Sequence, residues 1–489
     1  MTHVVVVGGG ISGLSAAREL AAAGCTVTVF EAGRRWGGKL ASTLIDGVRL
    51  DTGAESVLAR RPEAVGLIAE LGLGAALVHP SPAKPRLLVE QALRALPPSL
   101  LGIPTDVERL QPLLSPAGYR EARRRSHLDA PLTGDLPIGA VVDERFGPEV
   151  TDRLLEPLLG GVYAGRARDL SFDAVAHDLF LRARGGGSLV EHARDGARAG
   201  AAGPVFAGLA GGVSGIVDQV LSQLSEHGVA LRLGQTVREL EQRPDHRFSV
   251  RVQSEDTTET VTADAVLLAA PARPVGRLLG SVASVGADFA AIAYASVAVI
   301  TLVVRDLDTE ASGVLVPPGE LPTVKALTHS SVKWAWVGEQ AQQTWGPGAA
   351  VVRASVGRIG EEALLQLGDE ALTQRTWAEA AGLPGWRGAA LVDSRVTRWG
   401  GALPQYRVGH RDLIAELRRQ VDPVRGLAVA GAALDGVGVA ACLGSAHGAV
   451  GKIIADLGLV PGGLVPGGLV HGGMVGEQTG PEKAEESRT

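Results

Sequence analysis

The sequence predicts an α/β chain built first around a Rossmann-like parallel sheet, with a mixed-sheet unit and a helical unit attached. Three observations carry that expectation. Val4–Val7 is an unbroken β-branched run, the pattern of a strand buried on both faces of a parallel sheet. It runs directly into Gly8-Gly9-Gly10-Ile11-Ser12-Gly13, after which Leu14–Ala23 reads as an Ala-rich helix ended by Gly24. Val27–Phe30 is a second apolar run closing on Glu31, 18 positions after Gly13. A GxGxxG loop alone is weak, but strand, loop, helix, strand and acidic residue in this order form the dinucleotide-binding context.

Each position in the loop has a physical task. Gly8 permits the tight turn, Gly10 lets a pyrophosphate approach the backbone, and Gly13 lets the helix pack close to the strand. With Gly9, Ile11 and Ser12 they present a helix N-terminus to phosphate. Glu31 suits a ribose diol and repels a 2′-phosphate, which argues against NADP. The next residues read Glu31-Ala32-x-x-Arg35-x-Gly-Gly38-Lys39, and Asp51-Thr-Gly53-Ala54-Glu55-Ser56 follows. Arg35 or Lys39 can neutralise diphosphate charge, and the glycines expose backbone N–H groups. Near the other end, Gly426–Gly431 reads as a strand, and Gly436-Val437-Gly438-Val439 feeds a helix over 440–457. This is a second glycine loop opening a helix.

The bulk properties mainly exclude. At 489 residues the chain suggests two or three domains. A net charge of −6 argues against a dedicated nucleic-acid binder. Cys25 and Cys442 are too few for a disulfide framework, so a cytoplasmic location is expected. No apolar stretch of about 18 residues predicts a transmembrane helix, which leaves peripheral membrane contact open. No Ser-His-Asp arrangement, metal-ligating His/Cys cluster or Walker loop occurs. His410 and His447 lie nearest the glycine segments and are read as packed or solvent-facing, so no catalytic acid or base is assigned. The basic residues are 41 Arg against 6 Lys. The Leu-Val-Pro-Gly-Gly repeats from Leu459 read as a disordered tail over 459–489.

Several stretches resemble the protoporphyrinogen and coproporphyrinogen oxidases of the flavin amine oxidase superfamily. They are the Glu31–Lys39 and Asp51–Glu55 segments, Glu156-Pro157…Tyr163-Ala-Gly165…Leu170-Ser171, Gly208–Val213, Arg398-Trp399…Pro404-Gln-Tyr406…His410, and Gly436–Cys442. Ala440 and Ala441 depart from the family's proline and aspartate before the cysteine. The form of Ala54–Pro62 and the Ala/Gly/Arg-rich composition are similar to actinobacterial coproporphyrinogen III oxidases. The resemblance implies an FAD-binding domain of the amine-oxidase and p-hydroxybenzoate-hydroxylase type. It also implies six-electron oxidation of a porphyrinogen by hydride transfer to flavin N5, with three O₂ reduced to H₂O₂. Coproporphyrinogen III is the favoured substrate and protoporphyrinogen IX the alternative. An amine oxidase or desaturase shares the first sixty residues, and a non-catalytic FAD-binding regulator of haem synthesis would share the cofactor motifs.

The cofactor set implied is the GxGxxG loop, Glu31, Ala32, Arg35, Gly38, Lys39, Gly53, Ala54, Glu55, Ser56, Val237, Trp399, Gly431, Val437, Gly438 and Val439. For the anionic substrate the candidates are Arg60, Arg61 and Arg94, with Ser312, Gly313 and Leu315 as a strand over the flavin. Residues 1–80, 205–275 and 405–458 are expected to form the discontinuous FAD domain. Residues 81–204 would be a mainly helical lid, of the kind that binds membrane in some relatives, and 276–404 the substrate domain. Contact with the next haem-pathway enzyme is a further implication.

Overall fold

The computed structural model describes residues 1–199 and 203–459, so the predicted tail lies outside the described residues beyond Leu459. The chain opens with β1 (His3–Val7), α1 (Ile11–Ala22) and β2 (Thr26–Glu31), then forms β3 (Arg86–Val89) and β4 (Ala92–Ala95). A helical stretch follows that includes α2 (Ile138–Phe146) and α3 (Glu156–Tyr163), and α4 (Gly215–Glu226) leads to β5 (Ala230–Leu233) and β6 (Ala265–Leu268). Then come β7 (Tyr294–Arg305), β8 (Gly313–Leu315), β9 (Val324–His329), β10 (Ala349–Val356) and β11 (Ala390–Pro404). The chain returns through α5 (His410–Val421), β12 (Leu427–Val429) and α6 (Val439–Leu457).

Two sheets organise these elements. The first is parallel throughout, in the order β5-β2-β1-β6-β12. Its central strand β1 is buried along Val4–Val7, as the β-branched run requires, with α1 and α6 packed on one face. The second has seven strands, β11-β7-β10-β9-β8-β3-β4, antiparallel except where β8 meets β3. Its two faces bury different cores. Leu88, Val314, Val324 and Val352 face a cluster containing Trp386, whereas Leu87 belongs to the core of the helical stretch and Leu315 packs against it.

One local expectation needs correction. Residues 86–95, placed with the helical unit, instead close the seven-stranded sheet as β3 and β4. The four-residue alternation in each was too short to stand out among Pro-rich neighbours. The strand Phe206–Leu209 joins Val57–Leu58 and Leu77–Val78 in a separate three-stranded sheet. A helix begins at Asp369, where Gly368 holds an extended conformation as its N-cap. Among the described residues no helix is long and apolar enough to cross a membrane.

Candidate active site

At the C-terminal edge of the parallel sheet, Gly8 takes φ +114°, and a Cβ there would lie 2.5 Å from Ala269 O. A Cβ on Gly13 would lie 1.9 Å from Gly8 O, so α1 sits directly on the turn and tolerates no side chain. Gly10 is different. It is the N-cap of α1, no side chain caps the helix, and an added Cβ would meet only Gly38 Cα, 4.0 Å away. The uncapped first-turn N–H groups therefore adjoin open space, the arrangement that receives an anion. Glu31 fixes this loop: its carboxylate accepts from Gly9 N at 2.7 Å and Gly33 N at 2.6 Å. Each oxygen retains acceptor capacity for a ribose hydroxyl. Gln235 N donates to Glu31 O at 2.9 Å, which brings the start of the Val237 strand to the end of β2, while Ala32 is exposed.

A second uncapped helix start lies close by. Gly438 is the N-cap of α6 with no side-chain cap, and a Cβ on Gly438 or Gly431 would meet nothing within 4 Å. Ser12 Oγ donates to Cys442 O at 3.1 Å, which locks α1 against α6 next to Val439. Lys39 is pushed below its usual pKa by burial, with the Cys442 thiol opposing, and among the described residues its ammonium makes no ion pair. The Lys39 carbonyl accepts from Ala54 N at 3.1 Å, and a Cβ on Gly53 would come within 1.9 Å of it. Trp399 Nε1 donates to Thr52 O at 3.0 Å and carries Arg35 over its ring at 5.0 Å. Asp51 accepts from Val213 N and Ser214 N and so anchors the same loop on the start of α4. Two uncapped helix N-termini, an unpaired lysine and glycine-lined space fit the diphosphate and ring of FAD.

The opposite wall is the seven-stranded sheet. Cross-strand partners share a face, and the register aligns Arg94, Leu87, Leu315, Ala326, Ser355, Val299 and Thr397 in one row. The neighbouring position on β10 in that face is Arg353, beside Gly313 and Thr328 on the adjoining strands. Leu315 and Arg94 thus lie on the wall that faces the cofactor loops, with Arg94 at its exposed edge. Ser312 N ties the start of β8 to Lys84 O at 3.2 Å.

Glu55, expected among the cofactor residues, places its side chain between two cations. Its carboxylate takes Lys333 Nζ at 2.5 Å and Arg353 Nη1 at 2.6 Å, while Arg353 Nη2 donates to Gly53 O at 2.6 Å. Burial pushes the Glu55 carboxyl up, but the two cations outweigh it and hold the group at about 2. Ser56 sits half-buried beyond it. Arg60 and Arg61 do not join this wall. Arg60 is exposed and donates to Gly203 O, and Arg61 forks onto Glu63 beside a groove lined by Arg418, Lys452 and Asp456. Pro62 starts a helix there, with Arg61 as its N-cap and Arg60 just before it.

His410 is buried, donates from Nε2 to Leu434 O at 3.1 Å, and stacks on Tyr406 with ring centroids 4.0 Å apart. His447 is an exposed partner of Glu19. Tyr406 donates to Ala432 O at 2.5 Å and tilts against Tyr163 at 5.6 Å, so the helical stretch meets the loop before α6 where Val437 packs. Sequence reasoning did not assign Lys333, Arg353, Lys325 or Arg358 to the site. No local spacing marks these four, which come together only in the fold: Lys325 and Arg358 are buried, and Lys333 and Arg353 are half-buried.

Comparison with known proteins follows the same map. The family described as flavin containing amine oxidoreductase matches residues 11–454. Coproporphyrinogen III oxidase of Mycobacterium tuberculosis H37Rv is 38% identical over 466 residues, covering 92% of this chain and 97% of the relative. The Bacillus subtilis protein of that name is 28% identical, covering 93% and 98%. A solved structure from Exiguobacterium sp. 255-15 superposes with a TM-score of 0.79 at 29% identity, covering 94% of this chain and 99% of that one. Reduced UDP-galactopyranose mutase shares the fold, with a TM-score of 0.70 at 16% identity over 94% and 96%. The chain belongs to the flavin-containing amine oxidoreductase family and is an FAD-dependent oxidoreductase.

Proposed function

We propose that the enzyme oxidises coproporphyrinogen III to coproporphyrin III, removing six electrons and six hydrogens while three O₂ become three H₂O₂. The carrying observation is the 38% identity with coproporphyrinogen III oxidases over 92% of the chain, which spans the cofactor loops and the wall facing them. Bound FAD supplies the hydride acceptor and the reaction with O₂. The chain supplies position and dryness. The uncapped starts of α1 and α6, with Lys39, hold the diphosphate and ring; the Arg353–Glu55 pair fixes the Gly53 loop; and the partly open positions Leu315, Ala326 and Ser355 offer a wall to a tetrapyrrole.

Protoporphyrinogen IX is the second reading, supported by a 28% identity with human protoporphyrinogen oxidase over 92% of this chain and 98% of that one. A cytoplasmic setting goes with both, in keeping with two free, buried cysteines; delivery of the porphyrin to the next haem-pathway enzyme belongs to the same reading. The test is to mix the purified yellow protein in air with coproporphyrinogen III and, separately, protoporphyrinogen IX. Porphyrin fluorescence should rise faster from coproporphyrinogen. Faster product from protoporphyrinogen reverses the substrate choice, and no porphyrin from either removes the assignment.

A further inference from the structure

We propose that Lys325 and Arg358 form a receiving site for a carboxylate arm of the substrate, where α3 crosses β8 and β9. The proposal rests on the porphyrinogen reading above and adds residues that neither the motifs nor the family pattern singled out. Both side chains are deeply buried, at 4% and 5% exposure, in a place where charge is costly unless it is paired. Their partners are incomplete. Arg358 Nη2 donates to Val316 O at 3.0 Å and Nη1 lies 3.7 Å from Glu361, but Nε has no partner. Among the described residues no carboxylate reaches Lys325 Nζ within ion-pair distance.

The two carboxylates nearby are already engaged. Glu361 accepts from Arg166 Nη2 at 2.6 Å and Arg358 N at 3.1 Å, and Glu156 accepts from Ala167 N at 2.6 Å. Three cations, Lys325, Arg358 and Arg166, therefore face two carboxylates, and the unmatched positive charge sits on the two most buried groups. Burial and Arg358 push the Lys325 ammonium down to about 7, with Glu361 opposing. An arriving carboxylate supplies the missing partner and restores the charged form.

Position connects this pair to the substrate wall. The register of β9 shifts between Val324 and Ala326, so Lys325 is an extra residue that escapes strict alternation beside Ala326, the register partner of Leu315, and Lys325 O accepts from Val316 N at 3.1 Å. A Cβ on Gly160 of α3 would lie 3.9 Å from Arg358 Nε, so the helix presents a bare backbone over the guanidinium. Tyr163 follows three residues later, a rise of about 4.5 Å along the helix. Ile359, next to Arg358, donates to Ala164 O at 2.8 Å and packs in the cluster of Val297 and Trp399, the latter resting on the flavin loop. A point-charge ammonium beside a guanidinium suits a flexible propionate arm.

The test uses the FAD-loaded protein and coproporphyrin III, the reaction product, followed by porphyrin fluorescence. Lys325→Met keeps the aliphatic stem and should weaken the Kd for coproporphyrin III at least tenfold. KM for coproporphyrinogen III should rise to match, with kcat within about twofold and an unchanged flavin spectrum. Lys325→Arg should recover affinity to within about threefold. In the unaltered protein the Kd should weaken as pH rises from 6.5 to 8.5, and the Met variant should lose that slope. The charged groups acting on Lys325 are Arg358 and Glu361, which in turn meet Glu156 and Arg166 of the helical stretch. Burial and the Arg358 charge hold Lys325 at about 7, inside that window. Turnover by the wild type with an unchanged Kd in Lys325→Met overturns this proposal alone. If that variant does not hold FAD, a flat pH dependence of Kd in the wild type overturns it instead. A wild type that neither oxidises porphyrinogens nor binds porphyrin takes down the functional reading and this proposal together.

Discussion

The two walls of the active site are made of different materials. On the parallel-sheet side the contacts offered are backbone: two helix starts without side-chain caps and glycines whose missing Cβ atoms leave open space at Gly10, Gly431 and Gly438. On the seven-stranded side the work falls to buried charges, Glu55 between Lys333 and Arg353, and farther along Lys325 beside Arg358. A backbone cradle is sensitive to added volume and indifferent to pH. A charged wall is sensitive to the loss of a partner and to titration. The contrast separates two ways of disabling the enzyme, and each can be tested with a single residue.

The largest effect is expected at Gly10. Gly10→Val places its branch in open space rather than against backbone, so the apo-protein should fold with an unfolding midpoint near that of apo wild type. Its FAD content, read from the flavin absorbance of purified protein, should fall at least tenfold. Gly13→Ala is the control, because its Cβ meets Gly8 O at 1.9 Å and should cost stability even without FAD. A yellow Gly10→Val protein would show that the cradle is not where the diphosphate binds.

On the charged wall, Glu55→Ala leaves Lys333 and Arg353 buried without their shared carboxylate. Removing one partner of a buried network costs about 3–5 kcal/mol, to be read by urea unfolding of the FAD-loaded protein. The pH dependence follows from the same group. A carboxyl held at about 2, below its ordinary value of 4.5, stabilises the fold above pH 4.5. That contribution is lost as pH falls through about 2. Between those limits the wild type should lose stability on acidification, and Glu55→Gln should show a shallower loss. Equal slopes would mean that Glu55 does not carry the pairing.

The same contrast explains what was legible in the sequence. Backbone sites write themselves locally: Gly8, Gly10 and Gly13 occur between a strand and a helix, and Glu31 ends the next strand, so order and spacing suffice. The charged wall is assembled from residues far apart, Glu55 with Lys333 and Arg353, joined only when β10 and the Gly53 loop meet. No spacing rule encodes such a meeting. Arg60 and Arg61 are near the Gly53 loop in sequence, yet their side chains turn to Gly203 O and Glu63, ahead of the helix that Pro62 starts. The place of β3 in the seven-stranded sheet was missed for a related reason, since its partner β8 lies more than two hundred residues later.

The smallest expected effect belongs to the residue that joins the two walls. Tyr406 follows the end of β11, packs its ring in the core of the helical stretch and donates to Ala432 O at 2.5 Å, in the loop leading to α6. Burial pushes the phenol above its usual range, so it stays a neutral donor at every working pH. Tyr406→Phe keeps the ring stacked on His410 and removes one hydrogen bond, at a cost of about 0.5–1.5 kcal/mol. Urea unfolding should register that loss, while kcat/KM for the porphyrinogen should change less than threefold and FAD content not at all. A larger fall in FAD content would make the bond a support for the start of α6, so that the backbone cradle leans on the helical side. An unchanged stability would mean that the loop before α6 is held by its own backbone bonds, and that the two walls are energetically separate.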